Sequence, residues 1–544
     1  MPAVTRRKTI CEPLVARATL RPLALLGLRL FAASSLVQTL AAPAYAEQAA
    51  AELRAAQALE AMRGDPLALD DFLKCMPKGA DLHNHLDGAV YAETFIRVGG
   101  EDGLCVDPAT KGFSKSPPTK PGAEPGAEPG PICATGDVRA VDVPKNQHIY
   151  DEMVGSFSMR GFVASEGETG HDHFFGTFAK FGGTDPRHTG EFLDEVSERA
   201  AAQNEQYLEL METPTWHRLD TITKDMAWSE DLGALRDELL AKGLADDVPL
   251  ARAFWDEAES IRNQKQRCGA TDAAPACKVK TRYIYQVFRN TPKELVFAQT
   301  VFGFELAAAD PRVVAINFVG GEDDVISMAD YAEHMRMVGF LRELYPGVRV
   351  TLHAGELAPG LVPPEGLCCH VRLAVEQARA DRIGHGVDVM YEDRPYDLLK
   401  NMADKGVLVE INLTSNKVIL GIEGKHHPFA TYRKLGVPVA LSTDDEGVSR
   451  IDLTHEYVRA VQAFDLVYAD LKEMVRNSLE YSFLPGPSLW DDKGGYVRVV
   501  PDCQAGVGGP DQPSATCASF LGGSEKAAEQ WELERRFRAF EASL

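Results

Sequence analysis

The chain has 544 residues, of which 45% are hydrophobic and 25% charged, and its formal net charge is −23. This length allows one large domain with insertions, or two or more domains, and the composition is that of a soluble globular protein. The negative balance disfavours a nucleic-acid backbone or an anionic membrane as the main partner and leaves a small, neutral or weakly charged substrate compatible.

Residues 1–46 read as a signal peptide. Arg6, Arg7 and Lys8 give a positive start, an apolar stretch follows from Leu23 to Leu40, and Ala44-Tyr45-Ala46 fits a small-x-small cleavage site before Glu47. Arg29 inside the apolar stretch argues against a membrane anchor. Thr5-Arg6-Arg7-Lys8 partly resembles a twin-arginine signal, although Thr9 stands where that pattern usually has a large apolar residue. The expected location is therefore outside the cytoplasm, periplasmic or extracellular, with no membrane contact after cleavage. Cleavage would remove six basic residues and Glu12, leaving a net charge of about −28.

Residues 47–75 read as a helical lead-in. Eight short apolar runs follow: Ala80–Leu86, Gln206–Met211, Arg282–Phe288, Arg312–Val319, Arg349–His353, Arg382–His385, Val407–Asn412 and Val437–Ser442. Most precede a helical stretch, which predicts an α/β fold, a (β/α)8 TIM-type barrel with insertions, over residues 76–487. The gap of about 120 residues between the first two strands predicts a large insertion there. Within it, the Pro- and Gly-rich stretch 113–135 reads as an exposed loop. Residues 488–544 read as a loop-rich extension with a final charged helix.

Ten cysteines are present. Cys105 with Cys133, Cys268 with Cys277, and Cys503 with Cys517 each flank a Gly-, Pro- or Ala-rich loop and suit disulfide staples in an oxidising compartment. Cys75, Cys368 and Cys369 are left over. No Cys-x-x-Cys string exists, so a cysteine zinc site is not expected.

The chemistry lies at the ends of the predicted strands. His83 and His85 are two apart and share a face of a strand, which suits two ligands on one metal. His353 ends a strand, and Gly355 allows a turn that can return Glu356 toward the site. Partial burial could keep that carboxyl protonated as a proton donor. His385, between Gly384 and Gly386, could be a general base or stabilise an oxyanion. Asp444 and Asp445 point in different directions at a strand end, so one can bind metal while the other meets water or substrate. Taken singly, each has a plainer reading: paired polar residues, a helix-starting Glu, a satisfied histidine, an exposed turn.

Together these strings resemble the adenosine deaminase family, and within it the secreted, growth-factor-like branch. The resemblance covers roughly residues 76–487. It rests on Met76-Pro77-Lys78, His83-Asn84-His85-Leu86-Asp87-Gly88, Val319-Gly320 before Glu322, His353-Ala354-Gly355-Glu356, Arg382-Ile383-Gly384-His385-Gly386, Thr414-Ser415-Asn416, His427-Pro428 and Ser442-Thr443-Asp444-Asp445, in family order. It implies one Zn2+ per chain, held by His83, His85, His353 and Asp444, and a small purine nucleoside as substrate, with no nucleic acid. Glu356 would protonate purine N1, His385 would orient the attacking hydroxide, and Asp445 would contact water and N7. His85 would also face the substrate, with Asp87 on the ribose and the Gly320 amide on N3. The implied reaction converts adenosine, and deoxyadenosine, to inosine and ammonia. Another aminopurine or nucleotide substrate, or a silent nucleoside-binding protein, are the alternatives.

Two departures stand near the expected pocket mouth. Glu446 follows the double aspartate where many relatives have proline, and Glu410-Ile411-Asn412-Leu413 lacks a common Cys-Pro. Among the other histidines, His171 and His173 read as core or pocket wall on a helix, where two positions apart cannot easily share a metal. His426 and His427 read as loop residues suited to helix capping.

Overall fold

The computed structural model describes residues 41–114, 133–214, 218–492, 494–504 and 512–544. Its centre is a parallel sheet of eight strands: β1 (Gly79–His85), β2 (Glu205–Glu212), β3 (Lys280–Phe288), β4 (Val313–Val319), β5 (Arg349–Ala354), β6 (Arg382–His385), β7 (Leu408–Ile411) and β8 (Val439–Leu441). The sheet curls until Asn84 bridges Asp444, where His85 N–H donates to the Asp444 carbonyl (3.0 Å) and Asp444 N–H to the His83 carbonyl (2.8 Å). This is the (β/α)8 barrel expected, with every expected strand within two residues of its observed ends.

Parallel strands covered on both faces become nearly continuous apolar runs, as in Val-Val-Ala-Ile-Asn-Phe-Val of β4. The polar exceptions point into the barrel. Arg382 on β6 is fully buried and donates through Nη2 to Glu209 Oε2 on β2 (2.6 Å) and through Nε to Glu410 Oε1 on β7 (2.5 Å). Tyr207 and Thr351 hydroxyls donate to the same two carboxylates. Burying these charges is costly, and the pairing with added hydroxyl donors offsets that cost. The result is a polar floor beneath the rim.

The insertion between β1 and β2 carries a three-stranded antiparallel sheet (Cys105–Asp107, Gly112–Ser114, Val138–Arg139) and several helices. One of these, Gly170–Phe181, starts at a capping box in which Thr169 and Asp172 satisfy each other's backbone N–H groups. Most of the Pro- and Gly-rich stretch, residues 115–132, lies outside the described residues, as do residues 1–40 of the expected leader.

Helices Ala41–Met62 and Pro66–Cys75 precede the barrel, the second started by the Asp65 side chain and Pro66. Lys78 ties this lead-in to the barrel: its buried ammonium donates to the carbonyls of Leu73 (2.6 Å), Met76 (3.2 Å) and Gln203 (2.7 Å). At the other end, helices Ala515–Gly522 and Glu525–Ala542 enclose a small second core built on Leu489, Trp490, Tyr496 and Trp531. No helix among the described residues is long and apolar enough to cross a membrane.

The three expected cysteine pairs are joined. Cys368 and Cys369 are not left over but joined to each other, and none of the described cysteines, Cys75 included, is free. Pairing across loops by spacing overlooks a bridge between immediate neighbours.

Candidate active site

The seven polar residues at the strand ends converge at the C-terminal rim of the barrel. His83 Nε2 lies 3.1 Å from His353 Nε2 and 3.3 Å from Asp444 Oδ1, and His85 Nε2 lies 3.3 Å from His353 Nε2 and 3.4 Å from the same Asp444 oxygen. All four ligand atoms fall within 4.8 Å of one another. Atoms about 2.1 Å from a shared tetrahedral ion would stand roughly 3.4 Å apart, so this spacing fits a zinc-sized cation.

Hydrogen bonding on the far side of each ring supports that fit. His83 Nδ1 faces Glu410 Oε2 (2.6 Å), His85 Nδ1 faces Gln286 Oε1 (2.7 Å), and His353 Nδ1 faces Asn317 Oδ1 (2.9 Å). Each partner atom is an acceptor, so each Nδ1 carries a proton and each ring has its Nε2 left for the inner side, where a metal could replace any proton held there. Three imidazole nitrogens and a carboxylate meeting in a buried space suit a cation. Burial opposes charge on His83, yet Asp444 and Glu410 together raise its pKa to about 10, a sign of how strongly the site favours positive charge. Burial, followed by the neighbouring rings, holds His353 far below the ordinary histidine range.

Close approach of the parts depends on glycine. A Cβ on Gly384 would lie 2.6 Å from the His83 ring, and Gly355, at φ +76°, makes the turn that brings Glu356 back to the rim. His385 and Asp444 themselves adopt left-handed backbone, φ +67° and +61°. Such conformations are tolerated where the surroundings enforce them, often at functional sites.

Glu356 is buried 3.3 Å from His385 Nδ1 through Oε1. Burial first, then Asp444 and Glu322, push its carboxyl well above the usual range, which favours the protonated acid. Its backbone N–H and that of Gly355 donate to Glu322 (2.8 and 3.0 Å), which is paired with His370 Nδ1 (2.6 Å). Burial and the adjacent Asp444 likewise raise Asp445 well above its ordinary value. Glu356 Oε1 and Asp445 Oδ1 are buried and accept no hydrogen bond from the described residues. Asp444 instead keeps its charge, because the surrounding imidazoles outweigh its burial. Its second oxygen accepts from Ser415 Oγ (2.6 Å).

His85, His353, Glu356, Asp444 and Asp445 line a cavity of about 930 Å³. Asp87 and Gly320 line it, and so does Glu212 at the end of β2, which the sequence reading missed. Burial raises the pKa of both Asp87 and Glu212, and their carboxyls hydrogen-bond each other. A lone acid ending an apolar strand was the available signal. Arg289, also missed, is buried and donates to the carbonyls of His353 (3.0 Å) and Gly320 (2.9 Å), tying the metal side of the site to the cavity wall.

His171 lies on the helix Gly170–Phe181, lines the cavity and meets Asp323 Oδ1 (3.0 Å). His173 turns away to Glu168 and to the carbonyls of Gly155 and Ser158, so the two share no ligand. His427 accepts the Phe429 N–H (3.1 Å), the capping role expected of it. Glu446 points at Arg199 (2.7 Å) and is absent from the cavity wall, so this departure from the usual proline acts on packing.

A buried meeting of three imidazole nitrogens and a carboxylate at the C-terminal rim of a parallel barrel defines a metal-binding (β/α)8 protein. The family model described as Adenosine deaminase matches residues 260–489. That part of the chain is similar to the adenosine deaminase family. An adenosine deaminase of Clostridium perfringens (strain SM101 / Type A) is 37% identical over 172 residues, 31% of this chain and 47% of that protein. An adenosine deaminase of Vibrio atlanticus is 27% identical over 418 residues, 76% of this chain and 95% of that protein. An adenine deaminase of Rhizobium leguminosarum is 28% identical over 298 residues, 54% of this chain and 80% of that protein. The chain thus spans about half the length of the first of these relatives and nearly all of the second.

Proposed function

We propose that this protein is a zinc-dependent aminopurine deaminase that converts adenosine, and deoxyadenosine, to inosine and ammonia, with one ion per chain. The carrying observation is that a buried acid, Glu356, with an oxygen that accepts no hydrogen bond from the described residues, stands beside a set of four donor atoms suited to a cation. His83, His85, His353 and Asp444 would hold zinc, which supplies an ionised water near neutral pH and balances the buried aspartate.

The chain's own groups account for the remaining chemistry. Glu356 gives its proton to N1, which makes C6 electrophilic. His385, made neutral by burial that lowers it to about 3, offers a ring N–H to the attacking oxygen. Asp445, protonated, can donate to N7, an acceptor. Asp87 and Glu212 face the sugar hydroxyls. Among the described residues the cavity is lined by several carboxylates, including Asp185, Asp323 and Asp324, and by no lysine or arginine. A 5′-phosphate would meet repulsion there, which favours a nucleoside or free base over a nucleotide.

The relative named as an adenine deaminase keeps the free base as the second reading. A silent binding protein would have no use for the raised Glu356. Ammonia release by the zinc-loaded protein from adenosine, deoxyadenosine, adenine and AMP is the test. Turnover of adenosine should dominate, and none with any of the four would refute the proposal. We propose also that the protein is exported, a reading supported by Arg6-Arg7-Lys8, the apolar stretch after them and the joined cysteines. N-terminal sequencing of the protein recovered outside the cytoplasm should begin at Glu47, and recovery only inside would refute it.

A further inference from the structure

His385 has two ring nitrogens, and which one carries the proton decides what it can do for a reacting oxygen. Nδ1 faces Asn416 Nδ2 (2.9 Å) and, more distantly, Glu356 Oε1 (3.3 Å). Nε2 faces Asp444 Oδ2 at 3.9 Å, beyond hydrogen-bond length. Asn412 Nδ2 lies 3.5 and 3.4 Å from the two nitrogens, so it favours neither. The proton must be placed by something else.

A chain of hydrogen bonds does so, and it begins at a backbone amide, whose direction is fixed. The Phe429 N–H donates to His427 Nδ1 (3.1 Å), so the buried His427 ring carries its proton on Nε2. Burial lowers its pKa to about 3 and keeps it neutral. His427 Nε2–H then donates to Asn416 Oδ1 (3.0 Å), which fixes that amide the right way round. Asn416 must turn its NH2 toward His385 Nδ1. A nitrogen that accepts this bond has no proton of its own, and the remaining proton sits on Nε2.

We propose that His427 and Asn416 are positioning residues that set the tautomer of His385, presenting its Nε2–H toward Asp444 and the attacking oxygen. In this arrangement neutral His385 acts at Nε2 as a hydrogen-bond donor and not as a base. His427 therefore does more than end a loop: it passes the orientation of a peptide bond through one amide to the reacting centre. The effect on turnover rests on the deaminase reading, whereas the tautomer itself can be observed without it.

The test is nitrogen-15 NMR of zinc-loaded protein labelled at histidine, with His385 assigned by comparison with His385→Gln, alongside steady-state kinetics, zinc content and thermal melting. The wild type should show His385 protonated at Nε2 and bare at Nδ1. Asn416→Asp is nearly isosteric but can only accept, so the His385 proton should move to Nδ1. With a transition-state donor lost, kcat should fall at least 10²-fold while KM, zinc content and melting change little. His427→Phe, which frees the Asn416 amide to flip, should lower kcat in the same way, and His427→Gln, which keeps an N–H for Asn416, should restore much of it. A wild-type His385 protonated at Nδ1 would overturn the proposal. So would an Asn416→Asp variant with unchanged kcat, or one losing zinc, KM and melting temperature together, which would mark a merely structural role. An inactive wild type with the expected NMR signature would refute the substrate reading and leave the tautomer relay standing.

Discussion

The carboxylate of Glu410 holds the imidazole of His83 by a hydrogen bond of 2.6 Å. Burial would favour protonating Glu410, but Arg382 and His83 prevail and lower its pKa to about 2. An anion behind one ligand ring makes that ring a stronger donor, whereas His85 and His353 are backed by neutral amides. Glu410→Gln keeps an acceptor for His83 and removes the charge. Zinc affinity measured by competition with a chelator should fall about 10- to 100-fold. An unchanged affinity would mean that ring orientation alone matters.

Glu356→Gln removes the proton donor and preserves the shape of the side chain. Ammonia release from adenosine should drop by roughly 10²-fold or more in kcat, with zinc content unaltered. If turnover persists at the wild-type rate, the acid is another group.

The Asp87 and Glu212 pair should set the preference against phosphate. In the double variant Asp87→Asn, Glu212→Gln, the ratio of kcat/KM for adenosine over AMP should fall by about tenfold, equivalent to roughly 1.4 kcal/mol. A ratio that does not move would place the discrimination elsewhere.

Much of this is legible in the sequence. The strands announced themselves as apolar runs, and the ligands and acids stood at their ends, where a barrel exposes its chemistry. Less visible were the residues that orient them. Asn317 and Glu410 each sit alone within an apolar strand, and a single polar residue there signals an inward-facing partner without saying for which ligand, whereas Gln286 shares its strand with Lys280, Thr281 and Arg282 and does not stand out. Glu212 meets Asp87 only after about 120 intervening residues fold back. The strands of the insertion, two or three residues long, are too short for any periodicity to show.

Glu322 should govern part of the response to acid. Burial disfavours its charge, yet His370, Arg289 and the backbone N–H groups lower its pKa from 4.5 to about 2. A carboxylate depressed in the folded state stabilises above its unfolded pKa, and that stabilisation drains away as pH falls from 4.5 toward 2. The full window corresponds to roughly 3 kcal/mol. Glu322→Gln should be less stable at neutral pH, and its denaturant midpoint should decline less steeply on acidification. Parallel declines in both proteins would assign the acid sensitivity to other carboxylates.

The seam between β1 and β8 runs through the donor set itself: His83 and His85 stand on one side, Asp444 on the other, and their backbones are stitched together there. Early and late portions of the polypeptide must therefore meet before any ion can be gripped, and an ion once gripped acts as a rivet across the join. A nascent chain lacking its eighth strand would have neither a closed cylinder nor a full coordination sphere. Metal capture is thereby made a report that folding has reached its end.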